Sequence, residues 1–186
     1  MTVLLVFESM YGSTRDVAEA VADGLREGAH VRVAEVGALA AEPGGSAVPD
    51  ETTLLVVGGP THAFGMSTTR TRASAVQEAA ERTGHPGTVT APAVGIREWI
   101  ESVRLPQDRS LLVATFGTKV RRPNLPGSAA RAAERALRRR GGVPLVPART
   151  FTVLGMADGP ADGELAAARE WGRALATALP ADTADR

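Results

Sequence analysis

Residues 3–19 read VLLVFESMYGSTRDVAE: an apolar run, a short hydroxyl-rich turn, then the start of a helical pattern. Val3 to Phe7 are apolar at consecutive positions, which is what a strand needs when both faces of its sheet are covered. After the turn, Val17, Ala20, Val21 and Leu25 recur at helical spacing, and Gly28 offers a stop. The alternation then repeats. Further apolar runs stand at Val31–Val36, Leu54–Val57, Leu111–Phe116 and, more weakly, Phe151–Leu154. Helical patterns fall on Ile96, Trp99, Ile100 and Val103, ending near Pro106, on Pro126–Arg140 before Gly141 and Gly142, and on Asp162–Leu179. Strands alternating with helices predict an α/β doubly wound fold with a five-stranded parallel sheet and helices on both faces. Residues 1–179 predict a single domain, and 180–186 a disordered tail.

Composition narrows the chemistry. With 186 residues the chain can bury one sizeable core. Its 21 basic and 21 acidic residues cancel, which gives no reason to expect nucleic acid or a membrane surface as partner. The absence of cysteine removes disulfides, thiol nucleophiles and thiolate metal sites, and fits a cytoplasmic protein. The opening apolar run is too short for a signal peptide or a membrane span.

In an open parallel sheet, ligands bind beyond the carboxyl ends of the strands. Three loops therefore matter. The first carries Ser9, Met10, Tyr11, Gly12, Ser13 and Thr14, so hydroxyls and the first free N–H groups of a helix converge on one point, as an anion site requires. The competing reading makes Ser13 a helix cap with Asp16 as its capping-box partner, and Gly12 only a turn residue. Neither a nucleoside-triphosphate loop nor a dinucleotide fingerprint is present. The second loop, Gly58-Gly59-Pro60-Thr61-His62-Ala63-Phe64-Gly65, lets a ligand approach the backbone and sets the flat side chains of His62 and Phe64 beside it. His62 could serve as a base, but no serine motif or metal spacing accompanies it, which favours a structural or stacking role. The third loop runs through Thr115, Phe116, Gly117, Thr118 and Lys119 into Arg121 and Arg122. It opens a basic stretch: Lys119, Arg121, Arg122, Arg131, Arg135, Arg138, Arg139 and Arg140 stand against a single acid, Glu134. The helical arginines read as a solvated face behind a buried stripe of Ala130, Ala133 and Leu137.

Together, the strand followed by SMYGST, the GGPTHAFG loop and the TFGT loop resemble the flavin-contacting loops of the flavodoxin family, over about residues 1–178. Blocks such as IREWI, RRPNLPGSAARAA and DGELAAAREWG resemble an uncharacterised subgroup of flavodoxin-domain proteins. The resemblance implies a flavodoxin-like strand order 2-1-3-4-5 and a non-covalently bound FMN. It assigns the phosphate to Ser9, Tyr11, Gly12, Ser13 and Thr14, with Met10 in the same turn. It places Pro60, Thr61, His62, Ala63, Phe64 and Gly65, and Thr115, Phe116, Gly117, Thr118 and Lys119, around the isoalloxazine.

The sequence also departs from that pattern. Electron-carrying flavodoxins stack a third-loop Tyr or Trp on the flavin, whereas the one tyrosine here is Tyr11, and Trp99 and Trp171 occupy helical positions. A Lys119 or Arg121 charge about 6 Å from the reduced ring would favour its negative charge by roughly 3 kcal/mol at an effective dielectric near 20. That would point towards two-electron chemistry with a nicotinamide and a quinone-like molecule. Residues 66–95 form an excursion with a helix at Ala73–Arg82, expected to act as a lid, to make a homodimer contact or only to decorate the surface. Arg70 and Arg72 at its start would meet a substrate anion or face water. Three function classes follow: an FMN electron carrier serving a redox partner protein, an FMN-dependent oxidoreductase acting on quinones or porphyrin precursors, and a flavin-free binding module.

Overall fold

The computed structural model describes residues 1–62, 65–83, 93–121, 126–155 and 158–180. A parallel sheet is formed by β1 (Thr2–Phe7), β2 (His30–Glu35), β3 (Thr52–Pro60), β4 (Leu112–Val120), β5 (Val143–Pro144) and β6 (Arg149–Val153). The order is β2-β1-β3-β4-β5, with β6 also pairing to β4. The expected order 2-1-3-4-5 therefore holds. The fifth position, however, is shared by two segments: Val143 lies beside Leu112, and Arg149 beside Phe116. Pro144 and Pro147 explain the break, because neither can donate to a ladder. The expected strand at Phe151–Leu154 thus begins two residues earlier, as β6.

Strand side chains alternate between two cores. Leu4, Val6, Leu55, Val57 and Val113 pack with α2 (Val36–Ala41), α4 (Ile96–Ser102) and α5 (Ala129–Arg139). Val3, Leu5, Phe7, Leu54, Val56, Ala114 and Phe116 pack with α1 (Ser13–Leu25) and α6 (Glu164–Ala178) on the other face. This explains the consecutive apolar runs. The buried stripe of α5 includes Ala130, Ala133 and Leu137, and its arginines are exposed, as the solvated-face reading required. Ser128, whose hydroxyl accepts from Arg131 N, begins that helix slightly later than Pro126.

Other boundaries moved for identifiable reasons. Helix α2 starts at Val36, which periodicity had given to a strand. β3 and β4 extend past their apolar runs because Gly58, Gly59 and Pro60 pair with Phe116, Gly117 and Thr118. Much of what read as two loops is therefore strand. Helix α3 (Thr69–Thr83) starts earlier than Ala73, because the Thr68 and Thr71 hydroxyls each accept the other residue's backbone N–H. The expected tail beyond Pro180 lies outside the described residues, as do Ala63, Phe64 and Arg122.

Candidate ligand cavity

Where the winding reverses between β1 and β3, a cavity of about 370 Å³ opens beyond the strand ends. It gathers Met10, Tyr11, Ser13 and Thr14 from the first turn, Pro60, Thr61 and His62 from the end of β3, and Thr118 from β4.

The first turn is held open by its own hydrogen bonds. Ser9 is buried, and its Oγ accepts from the N–H groups of Gly12 and Arg15. Gly12 precedes the helix at φ 95°, a backbone region that glycine tolerates best. Ser13 is already inside α1 and caps nothing; its Oγ is buried without a hydrogen-bond partner. The capping reading of Ser13 therefore fails. An orphaned hydroxyl normally costs stability, so its position beside the first N–H groups of α1, which have no intrahelical acceptor, suits an incoming anion. Thr14 Oγ1 meets Thr118 Oγ1 at 2.8 Å and joins the first turn to β4.

The second loop is pinned at its base. His62 and Gly65 exchange backbone hydrogen bonds of 2.9 and 2.7 Å, and the half-buried imidazole has no hydrogen-bond partner among the described residues. Burial holds the His62 pKa below its usual value; Glu8 opposes that shift, Arg72 assists it and Glu78 opposes it. Thr61 donates its N–H to Thr118 O, while its hydroxyl accepts from Ala129 N at the head of α5.

The third loop contributes less than its sequence implied. Phe116 is fully buried in the α1/α6 core, edge-on to Phe151 and Trp171, so its ring cannot border a ligand. A Cβ on Gly117 would lie 3.1 Å from Ala130 N, so that residue fits closely against α5. Thr115 Oγ1 is buried and unpartnered, away from the cavity wall. Lys119 turns to the α5 side, where Nζ donates to Gly127 O at 3.3 Å, and it does not line the cavity. The expected cation beside the ring is therefore not supplied by Lys119. Strand alternation is the cause: Thr118 points one way and its neighbours the other.

Sequence reading named Arg70 and Arg72 as possible contacts but assigned no other residue of α3 to the site. Arg70, Thr71, Ser74, Ala75 and Glu78 line the cavity, joined by Val120, Val153 and Gly155. The helical spacing of Arg70, Ser74 and Glu78 was the available signal. Tyr11 Oη donates to Ala75 O at 2.8 Å, and Met10 packs with Ala75 and Ala79, so the first turn and α3 are one assembly. Arg72 neither meets a ligand nor faces water. It is buried and donates to Ser67 Oγ and Glu98 Oε2, each at 3.0 Å. Ser67 in turn donates to buried Glu8, whose Oε2 also accepts from Ile96 N. Burial alone would raise the Glu98 carboxyl, but Arg72 and backbone N–H groups hold it below the usual carboxylate range.

A parallel doubly wound sheet with a hydroxyl-lined cavity at its switch point defines a protein of the open α/β class, whose ligands bind at that place. The flavodoxin family model matches residues 5–172, and the chain belongs to that family, whose members bind FMN. Comparison with curated protein sequences gives no significant match. Among solved structures, oxidised Flavodoxin 1 from Bacillus cereus superposes with a TM-score of 0.65 at 14% identity, covering 97% of this chain and 100% of that one. A flavodoxin from the domain Archaea gives 0.58 at 18% identity over 96% and 99%. The flavodiiron core of Flv1 from Synechocystis gives 0.60 at 18% identity, covering 96% of this chain but 36% of that protein. These likenesses establish the fold. Among the described residues, no helix is long and apolar enough to cross a membrane.

Proposed function

We propose that the protein holds FMN non-covalently in this cavity and passes electrons through it to or from a partner protein. The observation that carries the reading is Ser13: a buried hydroxyl left without a partner at a helix N-terminus, beside a glycine in a left-handed turn. Ser13 and Thr14, with the N–H groups of the first turn of α1, would hold the phosphate through neutral donors. Pro60, Thr61, His62 and Thr118 would border the ring, and residues 66–95 would cover part of it as a lid. When bound, FMN supplies reversible electron uptake. A cytoplasmic setting fits the cysteine-free sequence.

The test is titration of apo-protein with FMN, and separately with riboflavin, followed by flavin fluorescence. Stoichiometric quenching with FMN and much weaker binding of riboflavin are expected. Equal affinities would sink the phosphate cradle, and no quenching at all would favour the flavin-free binding module.

The α3 wall supports a second reading, an FMN-dependent oxidoreductase with a nicotinamide- or quinone-like substrate. Arg70, Ser74 and Glu78 give the cavity a polar side that an electron carrier does not require. Bleaching of the loaded protein by NAD(P)H would select this reading; reduction only by a protein donor would select the carrier.

A further inference from the structure

We propose that His62 is a redox-linked proton site: its imidazole takes a proton from solvent when the ligand in the cavity gains negative charge on reduction, and releases it on reoxidation. This rests on the reading that the cavity holds FMN. Two electrons from the redox partner and one solvent proton on the ligand would leave it with one added negative charge; a second solvent proton, taken by His62, offsets that charge, and both protons leave on reoxidation.

The geometry sets this up in three ways. First, the His62 backbone is fixed by its paired hydrogen bonds to Gly65, which roots the residue at the wall of the cavity that it lines. Second, its ring nitrogens meet no partner among the described residues, which leaves them open to proton exchange. Third, the surrounding charges are mixed. Glu8 at the end of β1 and Glu78 on α3 favour the protonated ring, while Arg72 on α3 disfavours it. Arg70 adds a positive charge to the same cavity wall, and Glu98 engages Arg72. Glu8 and Arg72 are joined through Ser67 and largely offset each other. Burial then decides, and the ring starts out neutral at ordinary pH. A neutral imidazole has a proton still to gain. A new negative charge within several ångström, in a half-buried setting, is the largest unbalanced charge it would feel.

The experiment uses the full chain loaded with FMN and labelled with ¹⁵N-histidine. The three histidines are His30, His62 and His85; exposed His30 is an internal control, and the signal missing from His62→Gln assigns His62. Imidazole titrations are recorded for the oxidised protein and for protein reduced anaerobically with dithionite. The His62 midpoint is expected to move upward by about two pH units on reduction, as a unit charge nearby implies, while His30 stays in place. The same His62 midpoint in both states would overturn the proposal. A second readout is the midpoint potential against pH, where His62→Gln should remove a bend present in the wild type; superimposable curves would also overturn it. If His62→Gln does not fold, His62→Asn supplies the same assignment, and the wild-type titration then decides. Failure to load FMN would instead overturn the cofactor reading, so the two failures are distinguishable.

Discussion

The turn after β1 and helix α3 line the same cavity, yet they treat their polar groups in opposite ways. The turn leaves Ser13 unpartnered and uses no charge, whereas α3 buries Arg72 and satisfies it internally through Ser67, Thr69 and Glu98. A group left unsatisfied in the free protein is available to a ligand; a group satisfied at home is a fastening. On the proposed reading the turn serves recognition, whereas the root of α3 is a fastening.

Breaking the fastening should have the largest effect. Arg72→Met would leave half-buried Glu98 without its ion-pair partner and Ser67, the hydroxyl that holds buried Glu8, without its donor, and a loss of about 3–5 kcal/mol is expected by urea denaturation. A loss under about 1 kcal/mol would mean that α3 is held mainly by its apolar contacts. Next comes the recognition side. Ser13→Ala should weaken FMN binding about ten- to a hundredfold, the effect of one hydrogen bond to a charged group, while leaving riboflavin affinity unchanged and the melting temperature of the apo-protein unchanged or raised. A parallel fall in stability would put Ser13 among the fastenings instead. Gly12→Ala, at φ 95°, should cost about 1–2 kcal/mol through backbone strain, with a matching rise in the FMN dissociation constant.

The smallest effect concerns pH. Because His62 is held below its unfolded value near 6.5, the unfolded chain binds more protons as the pH falls from that value towards the folded midpoint. Stability present above pH 6.5 should therefore decline through that window, by well under the effect of Arg72, and His62→Gln should flatten the decline. An unchanged acid limb in thermal melts would argue that the ring is already solvated.

Much of the architecture was readable because it rests on period. Val3–Phe7 and Leu54–Val57 are apolar on both faces since each strand feeds two cores, and no other arrangement of a chain this size explains that economically. The first turn was readable because glycine and hydroxyls at a strand-to-helix junction have a narrow set of uses. The third loop misled because its residues belong to a strand: Thr118 reaches the cavity, Lys119 faces the opposite side, and Phe116, on the same face as Thr118 but two residues deeper, is buried under α1 and α6. Beyond Arg70, the α3 residues of the wall were not legible, because its polar positions look like an ordinary exposed helix face until tertiary contacts bring it over Tyr11. Proline breaks explain the divided fifth strand, but periodicity carries no information about which half of a neighbour each piece will join.

The helix that presents the anion turn is clasped by α6 at unusually close range. A Cβ on Gly24 would lie 2.0 Å from Arg169 O, and one on Gly172 would lie 2.2 Å from Val21 O. The first helix made on the ribosome thus gains its covering surface from a helix made well after it, so the anion turn is unsupported through most of synthesis. Cofactor loading is then a late, quality-dependent event. Ribosome-arrested chains stopped before Glu164 should retain no FMN, while chains extended far enough for α6 to leave the exit tunnel should acquire it.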